Sequence, residues 1–200
     1  TGMDPASGPL VGGETVTITG TNLTDATVTI GDAECVVSSS QDDSVECVVP
    51  AGVAGNATVV VSKGDGTDTV PGGYTYIAPP TVDIVTPNEG PTVGGEEITI
   101  SGAELENATV TIDGQPCTSV EVAEDGDSLT CTTPPGTRGN VTVEVTTPGG
   151  TVEVPGGYSY LDIPIVTGID PTSGPTDGAY SVTISGENLT DATVTFGGLP

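Results

Sequence analysis

The chain has 200 residues and a formal net charge of −26, from 2 basic and 28 acidic side chains, with no His and no Trp. Lys63 and Arg138 cannot supply the basic footprint that displaces counterions from phosphates, so nucleic acid is excluded as a partner. No run approaches the roughly 18 consecutive apolar residues of a membrane-spanning helix, and without His the isolated Ser, Cys and Asp form no catalytic set, so no catalytic residue and no enzyme activity are expected.

High charge with 30 Gly and 17 Pro also describes a disordered chain, and the order of the residues decides otherwise. Asp4-Pro-Ala-Ser-Gly-Pro9 opens the first unit, and Glu14–Gly20 and Asp25–Ile30 follow as β-type runs. Val16 and Ile18 alternate there with Thr15, Thr17 and Thr19, as do Val28 and Ile30 with Thr27 and Thr29. Period-two alternation of β-branched residues with Thr describes strands buried on one face. Cys35 and Cys47 come next, then the apolar positions Ala57, Val59 and Val61, and the unit closes on Pro71-Gly-Gly-Tyr-Thr-Tyr76. The same text returns from Thr86 to Tyr160 and restarts at Asp170. Pro5 precedes Pro87 by 82 positions and Pro71 precedes Pro155 by 84, so one loop between the cysteines is two residues longer in the second copy. Disordered low-complexity sequence does not hold such register, and an array of folded units follows.

Short strands separated by GG, DG and PGG turns, with no helical stripe, predict an all-β sandwich in each unit. The predicted domains are residues 1–77 with the first strand clipped, residues 78–162, and residues 163–200 as the N-terminal part of a third copy. Ile77–Thr81 and Leu161–Pro164 are short Pro-bearing linkers that restrict the angle between neighbours. The chain is expected to be a window on a longer array. A true end inside the third unit is the alternative, and its open edges would then ask for a strand from another chain.

Cys35 with Cys47, and Cys117 with Cys131, fall at equivalent places, which favours one disulfide within each repeat. Loops of this size would contribute about 3 kcal/mol by restricting the unfolded chain. Buried free thiols are the alternative; a metal site lacks CxxC spacing or His. Structural disulfides imply an oxidising, extracellular setting.

The opening P-x-x-G-P with its following Gly pair (Gly12, Gly13; Gly94, Gly95), the TITG or TISG strand, the Cys-x-x-Pro steps (Cys47 to Pro50; Cys131 to Pro134) and the closing Tyr-x-Tyr together resemble the IPT/TIG domain family. The resemblance covers nearly the whole chain, as two full copies and one partial copy. It implies tandem immunoglobulin-like β-sandwiches of the E-set type. The family occurs in receptor ectodomains, microbial surface proteins, accessory domains of starch-acting enzymes and DNA-binding factors; the charge does not suit the last.

Five of the six Asn begin an N-x-T sequon: Asn22, Asn56, Asn107, Asn140 and Asn188. These are candidate N-glycosylation sites, set against the plainer reading that N-x-T suits polar strand ends in a Thr-rich protein. Asp42-Asp43, Asp65 to Asp68 and Glu124-Asp125-Gly-Asp127 invite calcium, as do Asp83 and Asp162 beside the linkers. None has the alternating oxygen ligands of a calcium loop, so no metal site and no cofactor are expected. Tyr180 is the one Tyr without a repeat equivalent, and the text between the paired cysteines (Ser38–Ser44; Val120–Ser128) diverges most; both are candidate contact surfaces. The composition and repeats point to a structural or adhesive extracellular component at the cell surface, a rod, surface layer or filament, with self-association and N-linked glycans as its partners. A ligand-binding ectodomain is the alternative, and accessory domains of a secreted carbohydrate-active enzyme stand third.

Overall fold

A computed structural model describes residues 2–190 and 192–197, and every regular element in it is a strand. In repeat 1 one layer runs Gly2–Asp4, Thr15–Thr19, Ser44–Val48, Ala33–Ser40 in spatial order, all antiparallel. The other layer holds Thr27–Ile30, Val59–Lys63 and Gly66–Thr69, with Ser7–Pro9, Tyr74–Ile77 and Gly55–Ala57 beside them. Two segments serve both layers. Ala33–Ser40 pairs with Thr27–Ile30 through Cys35 and then with Ser44–Val48 from Val36 onward. The N-terminal segment pairs as Gly2–Asp4 with Thr15–Thr19, crosses at the cis peptide Asp4–Pro5, and continues as Ser7–Pro9, parallel to Tyr74–Ile77.

The alternation read in the sequence is the alternation of burial. Val16, Ile18, Val28 and Ile30 are buried while Thr15, Thr19 and Thr27 face water. Val45, Cys47 and Val49 close the core from the neighbouring strand, and Val59, Val61, Tyr74 and Tyr76 from the opposite layer. Repeat 2 reproduces ten of these positions with Ile98, Ile100, Val110, Ile112, Leu129, Cys131, Val143, Val145, Tyr158 and Tyr160, and places the buried Thr133 where repeat 1 has Val49. Each such side chain stabilises the fold by roughly 1.5–3 kcal/mol relative to leaving it exposed. The acids take the outward positions, so a chain of charge −26 retains two apolar cores.

The Tyr-x-Tyr closure has a specific physical use. Tyr74 donates to Glu14 Oε2 and Tyr76 donates to the Pro50 carbonyl at 2.7 Å. Tyr158 and Tyr160 repeat this with Glu96 and the Pro134 carbonyl. The paired rings meet edge to face, with centroids 4.9 Å and 5.1 Å apart. Tyr suits these places because its ring fills the core while its hydroxyl reaches a polar partner at the end of the sandwich. Burial raises all four hydroxyls above the ordinary tyrosine pKa, Tyr160 to about 12, and Glu14 reinforces the shift at Tyr74.

The third copy contributes the antiparallel pair Ile165–Asp170 and Thr183–Glu187. The sequence reads Asp191–Phe196 as a further strand; Asp191 lies outside the described residues, and residues 192–195 form no strand. Ile169, Val194 and Phe196 are exposed here, whereas their repeat 2 equivalents Val85, Val110 and Ile112 are buried.

Candidate functional site

The two cysteine pairs sit at the same place in each sandwich, where the chain passes from one layer to the other. Cys35 and Cys47 are bridged, with Cα atoms 5.6 Å apart. Cys117 and Cys131 stand as buried free thiols, so the second bridge expected from the sequence is not formed in this structure. The backbone differs between the two places. Ala33–Ser40 is one continuous strand through Cys35, whereas Cys117 falls in a gap between Gln115–Pro116 and Thr118–Val122. The neighbouring Cys117 thiol, with burial, raises the Cys131 pKa, and Cys131 lowers that of Cys117 against the opposing effect of burial.

All five sequon asparagines are exposed. Three of them also answer to the backbone: φ is 58° at Asn22, 58° at Asn107 and 55° at Asn188, the left-handed region that Asn tolerates better than most residues. Asn56 Nδ2 donates to the Gly72 carbonyl at 2.7 Å and Asn188 Nδ2 to the Ile163 carbonyl at 3.2 Å. At Asn22, Asn107 and Asn188 the Asn itself therefore has a conformational reason, which sequence spacing alone does not reveal.

Among the described residues, no group of three or more His, Cys, Asp or Glu converges as metal ligands would. Asp42-Asp43 and residues 124–127 lie in turns and bends, where Asp127 N bonds Asp125 Oδ1 at 3.2 Å. Asp65 lies in a turn and Asp68 in the strand that follows it, where Thr69 N bonds Asp68 Oδ1 at 2.9 Å. No helix is long and apolar enough to cross a membrane, among the described residues. Tyr180 is 58% exposed, beside Gly174. The two divergent segments lie at one end of each sandwich. Ser40 ties its segment back there, its hydroxyl donating to the Leu23 carbonyl at 2.8 Å and accepting from Asp25 N at 2.7 Å.

The sequence reads both linkers as short and Pro-bearing; what it missed is what they touch. Three residues, Ala78–Pro80, separate the last strand of repeat 1 from the first of repeat 2, and three, Asp162–Pro164, separate repeat 2 from the third copy. At the first joint Gly149 packs so closely that a Cβ there would lie 1.9 Å from the Ala78 carbonyl oxygen, with Gly150 facing Pro79. At the second, Arg138 Nη1 meets Asp162 Oδ2 at 3.4 Å. The pairing of a lone Arg with a linker acid in a chain so poor in cations was the available signal.

Two-layer, all-β sandwiches in series, with a segment that crosses between layers and a Tyr-x-Tyr closure, define tandem immunoglobulin-like domains. A family profile described as IPT/TIG domain matches residues 1–77, 80–160 and 164–200. The chain belongs to the IPT/TIG domain family. It is 30% identical over 196 residues to fibrocystin-L of Homo sapiens, which covers 94% of this chain and 5% of fibrocystin-L. It is 29% identical over 207 residues to plexin-B2 of Mus musculus, covering 94% of this chain and 11% of that protein. The chain thus spans a small fraction of the curated relatives it matches. A solved structure of the plexin A4 full extracellular region overlays 86% of this chain and 16% of that one with a TM-score of 0.54 at 21% identity, a likeness of fold. These relatives place the chain with extracellular, cell-surface sequences, the setting expected from its composition and cysteines.

Proposed function

We propose that the chain is a structural and adhesive stretch of an extracellular array, a stalk, surface layer or filament, in which sandwiches are coupled in series by joints with little slack. The observation that carries this reading is the three-residue connection at both joints, each containing Pro and each held by a contact to repeat 2. A Pro-bearing connection of that length acts as a semi-rigid spacer rather than a tether. The role is mechanical, so it requires no catalytic residue and no cofactor. The acidic coat keeps the surface hydrated and discourages nonspecific association. N-linked glycans on Asn22, Asn56, Asn107, Asn140 and Asn188 extend that coat, and identical chains are the partners.

The chain secreted from a glycosylating host tests this by sedimentation and electron microscopy. Repeating contacts between identical chains are the expected result; isolated single particles at every concentration would contradict the filament reading. Relatives among fibrocystin-L and the plexins favour a second reading, a ligand-binding ectodomain. In that case Ser38–Ser44 and Val120–Ser128 present the contact surface, and grafting one segment onto the other repeat transfers binding.

A further inference from the structure

The loop that follows the TITG or TISG strand has one build in all three copies. Ala26 N bonds the Leu23 carbonyl at 3.0 Å, Ala108 N the Leu105 carbonyl at 3.1 Å and Ala192 N the Leu189 carbonyl at 3.2 Å. In repeats 1 and 2 this loop backs the divergent turn. Gly20 N and Leu23 N donate to the Asp43 and Asp42 carbonyls at 2.9 Å and 3.0 Å. Gly102 N and Leu105 N donate in the same way to the Asp127 and Gly126 carbonyls at 2.9 Å and 3.1 Å. The turn itself closes from Gln41 N to the Ser44 carbonyl at 2.8 Å in repeat 1, and from Ala123 N to the Ser128 carbonyl at 2.9 Å in repeat 2. Leu23, Ala26, Leu105 and Ala108 are buried, so the loop is anchored from below and the turn stands on it.

Each loop has two left-handed positions, and repeats 1 and 2 fill them in opposite order. Asn22 and Asp25 take them in repeat 1, with φ of 58° and 61°; Glu104 and Asn107 take them in repeat 2, both at 58°. The third copy returns to the first order with Asn188, at 55°. The backbone asks for a residue that tolerates the left-handed region, and Asp25 meets that demand as Asn does. It does not choose which position is Asn, nor does it ask for Thr two residues on. Yet every loop carries one sequon: Asn22 with Thr24, Asn107 with Thr109, Asn188 with Thr190. Thr27 stands where Thr109 does, so Asn in place of Asp25 would give repeat 1 a second acceptor in the same loop; an acid holds that place instead. The acceptor shifts along the loop between copies while each loop keeps one. Asn22 and Asn107 are both exposed.

We propose that a single N-linked glycan per repeat, on Asn22 in repeat 1 and on Asn107 in repeat 2, covers the divergent turn and gives this end of the sandwich a sugar surface in place of a protein one. Either left-handed position serves, because both lie on the loop that carries the turn. A glycan is bulky and hydrated, and residues 41–44 or 123–128 are a small target beneath it. This role rests on the glycosylation proposed above and separates its two readings. A covered turn closes the surface that a ligand-binding ectodomain would offer at Ser38–Ser44 and Val120–Ser128. The strand faces are then left for contacts between identical chains.

The test uses the full chain secreted from a glycosylating host, before and after enzymatic removal of its N-glycans. Peptide mass spectrometry reads occupancy, and carbodiimide coupling of glycine ethyl ester reads the exposure of individual carboxylates. The expected result is a glycan on Asn22 and on Asn107, with coupling at Asp42, Asp43, Glu124 and Asp125 about threefold slower while the glycans are present. Glu34 and Glu97, exposed toward the opposite end of each sandwich, should react equally in both forms. Asn107→Asp, which puts Asp on a left-handed backbone as at Asp25, should free Glu124 and Asp125 and leave Asp42 and Asp43 slow; Asn22→Asp should do the converse. A glycan on Asn107 with unchanged coupling at Glu124 and Asp125 would overturn the covering and leave the glycosylated coat standing. Unoccupied Asn22 and Asn107 beside an occupied Asn56 or Asn140 would overturn the assignment to this loop, and a chain without glycans would overturn both. If either substitution unfolds its repeat, the enzymatic comparison decides alone.

Discussion

Repeats 1 and 2 carry the same core and differ at their ends. Ten inward positions correspond one for one, from Val16 and Ile98 to Tyr76 and Tyr160. In repeat 2 the last two strands run nearly unbroken as Gly139–Thr147 and Gly150–Leu161, and their turn packs on the incoming linker. In repeat 1 the same stretch is divided into Gly55–Ala57, Val59–Lys63, Gly66–Thr69 and Tyr74–Ile77, and its turn faces a cavity. The comparison teaches that the interior of such a sandwich is specified locally, by alternation within a strand. Its close approaches also depend on a segment distant in the chain, on Thr81 at Gly102 and on Ala78 at Gly149.

Four measurements can break or sharpen that comparison. The largest effect is expected at Leu105, which is fully buried under the incoming strand. Leu105→Ala should destabilise repeat 2 by about 4 kcal/mol, while Leu23→Ala beside the cavity should cost repeat 1 about 2 kcal/mol. Equal losses in denaturant titrations would mean that the two ends are packed alike. Next comes the covalent difference. Reductant should lower repeat 1 by about 3 kcal/mol through the loss of Cys35–Cys47 and leave repeat 2 unmoved. A matching fall in repeat 2 would show Cys117 and Cys131 bridged in the folded protein, as the sequence pattern suggests, and non-reducing peptide mass spectrometry would locate the bond.

A third effect is common to both repeats. Tyr160 is neutral in the folded state up to a pKa of about 12, against 10.0 in the unfolded chain, because burial opposes the phenolate. The folded-state value is raised, so the stabilisation is complete below pH 10 and is lost as pH rises from 10 toward 12. Unfolding titrations across that window should show the decline, and Tyr160→Phe should lessen it in repeat 2, leaving the part that the raised Tyr158 hydroxyl contributes. The same variant should cost about 1 kcal/mol at neutral pH, through the lost hydrogen bond to Pro134. The smallest effect belongs to Arg138→Ala. The ion pair with Asp162 is largely exposed, so the change should stay below about 0.5 kcal/mol and vanish at high salt.

Much of the fold is legible in the sequence because burial in a strand has a period of two, and Val16, Ile18, Val28 and Ile30 can be read directly. The repeat offset then carries each assignment to the second copy. The sequence does not show that Ala33–Ser40 divides its pairing between two layers, since nothing in Cys35-Val36 marks the switch. Nor does it show that Asn22 and Asn107 occupy left-handed turns, because a sequon reads the same in any conformation. The Gly of each TITG or TISG strand is visible as a repeat, but its reason is steric and belongs to a different segment: Thr81 for Gly102 and Ile165 for Gly186. Cys117 shares its place with Cys35 but not its backbone, and spacing alone cannot separate a bridged pair from two adjacent thiols.

The central claim is that neighbouring sandwiches are coupled through joints too short and too well packed to swing freely. Residual dipolar couplings measured separately for repeats 1 and 2 in one weakly aligned sample test it most directly. The account predicts a single alignment tensor, of equal magnitude and shared axes, for both repeats. Tensors of clearly different magnitude would show independent reorientation about Ala78–Pro80 and would contradict it.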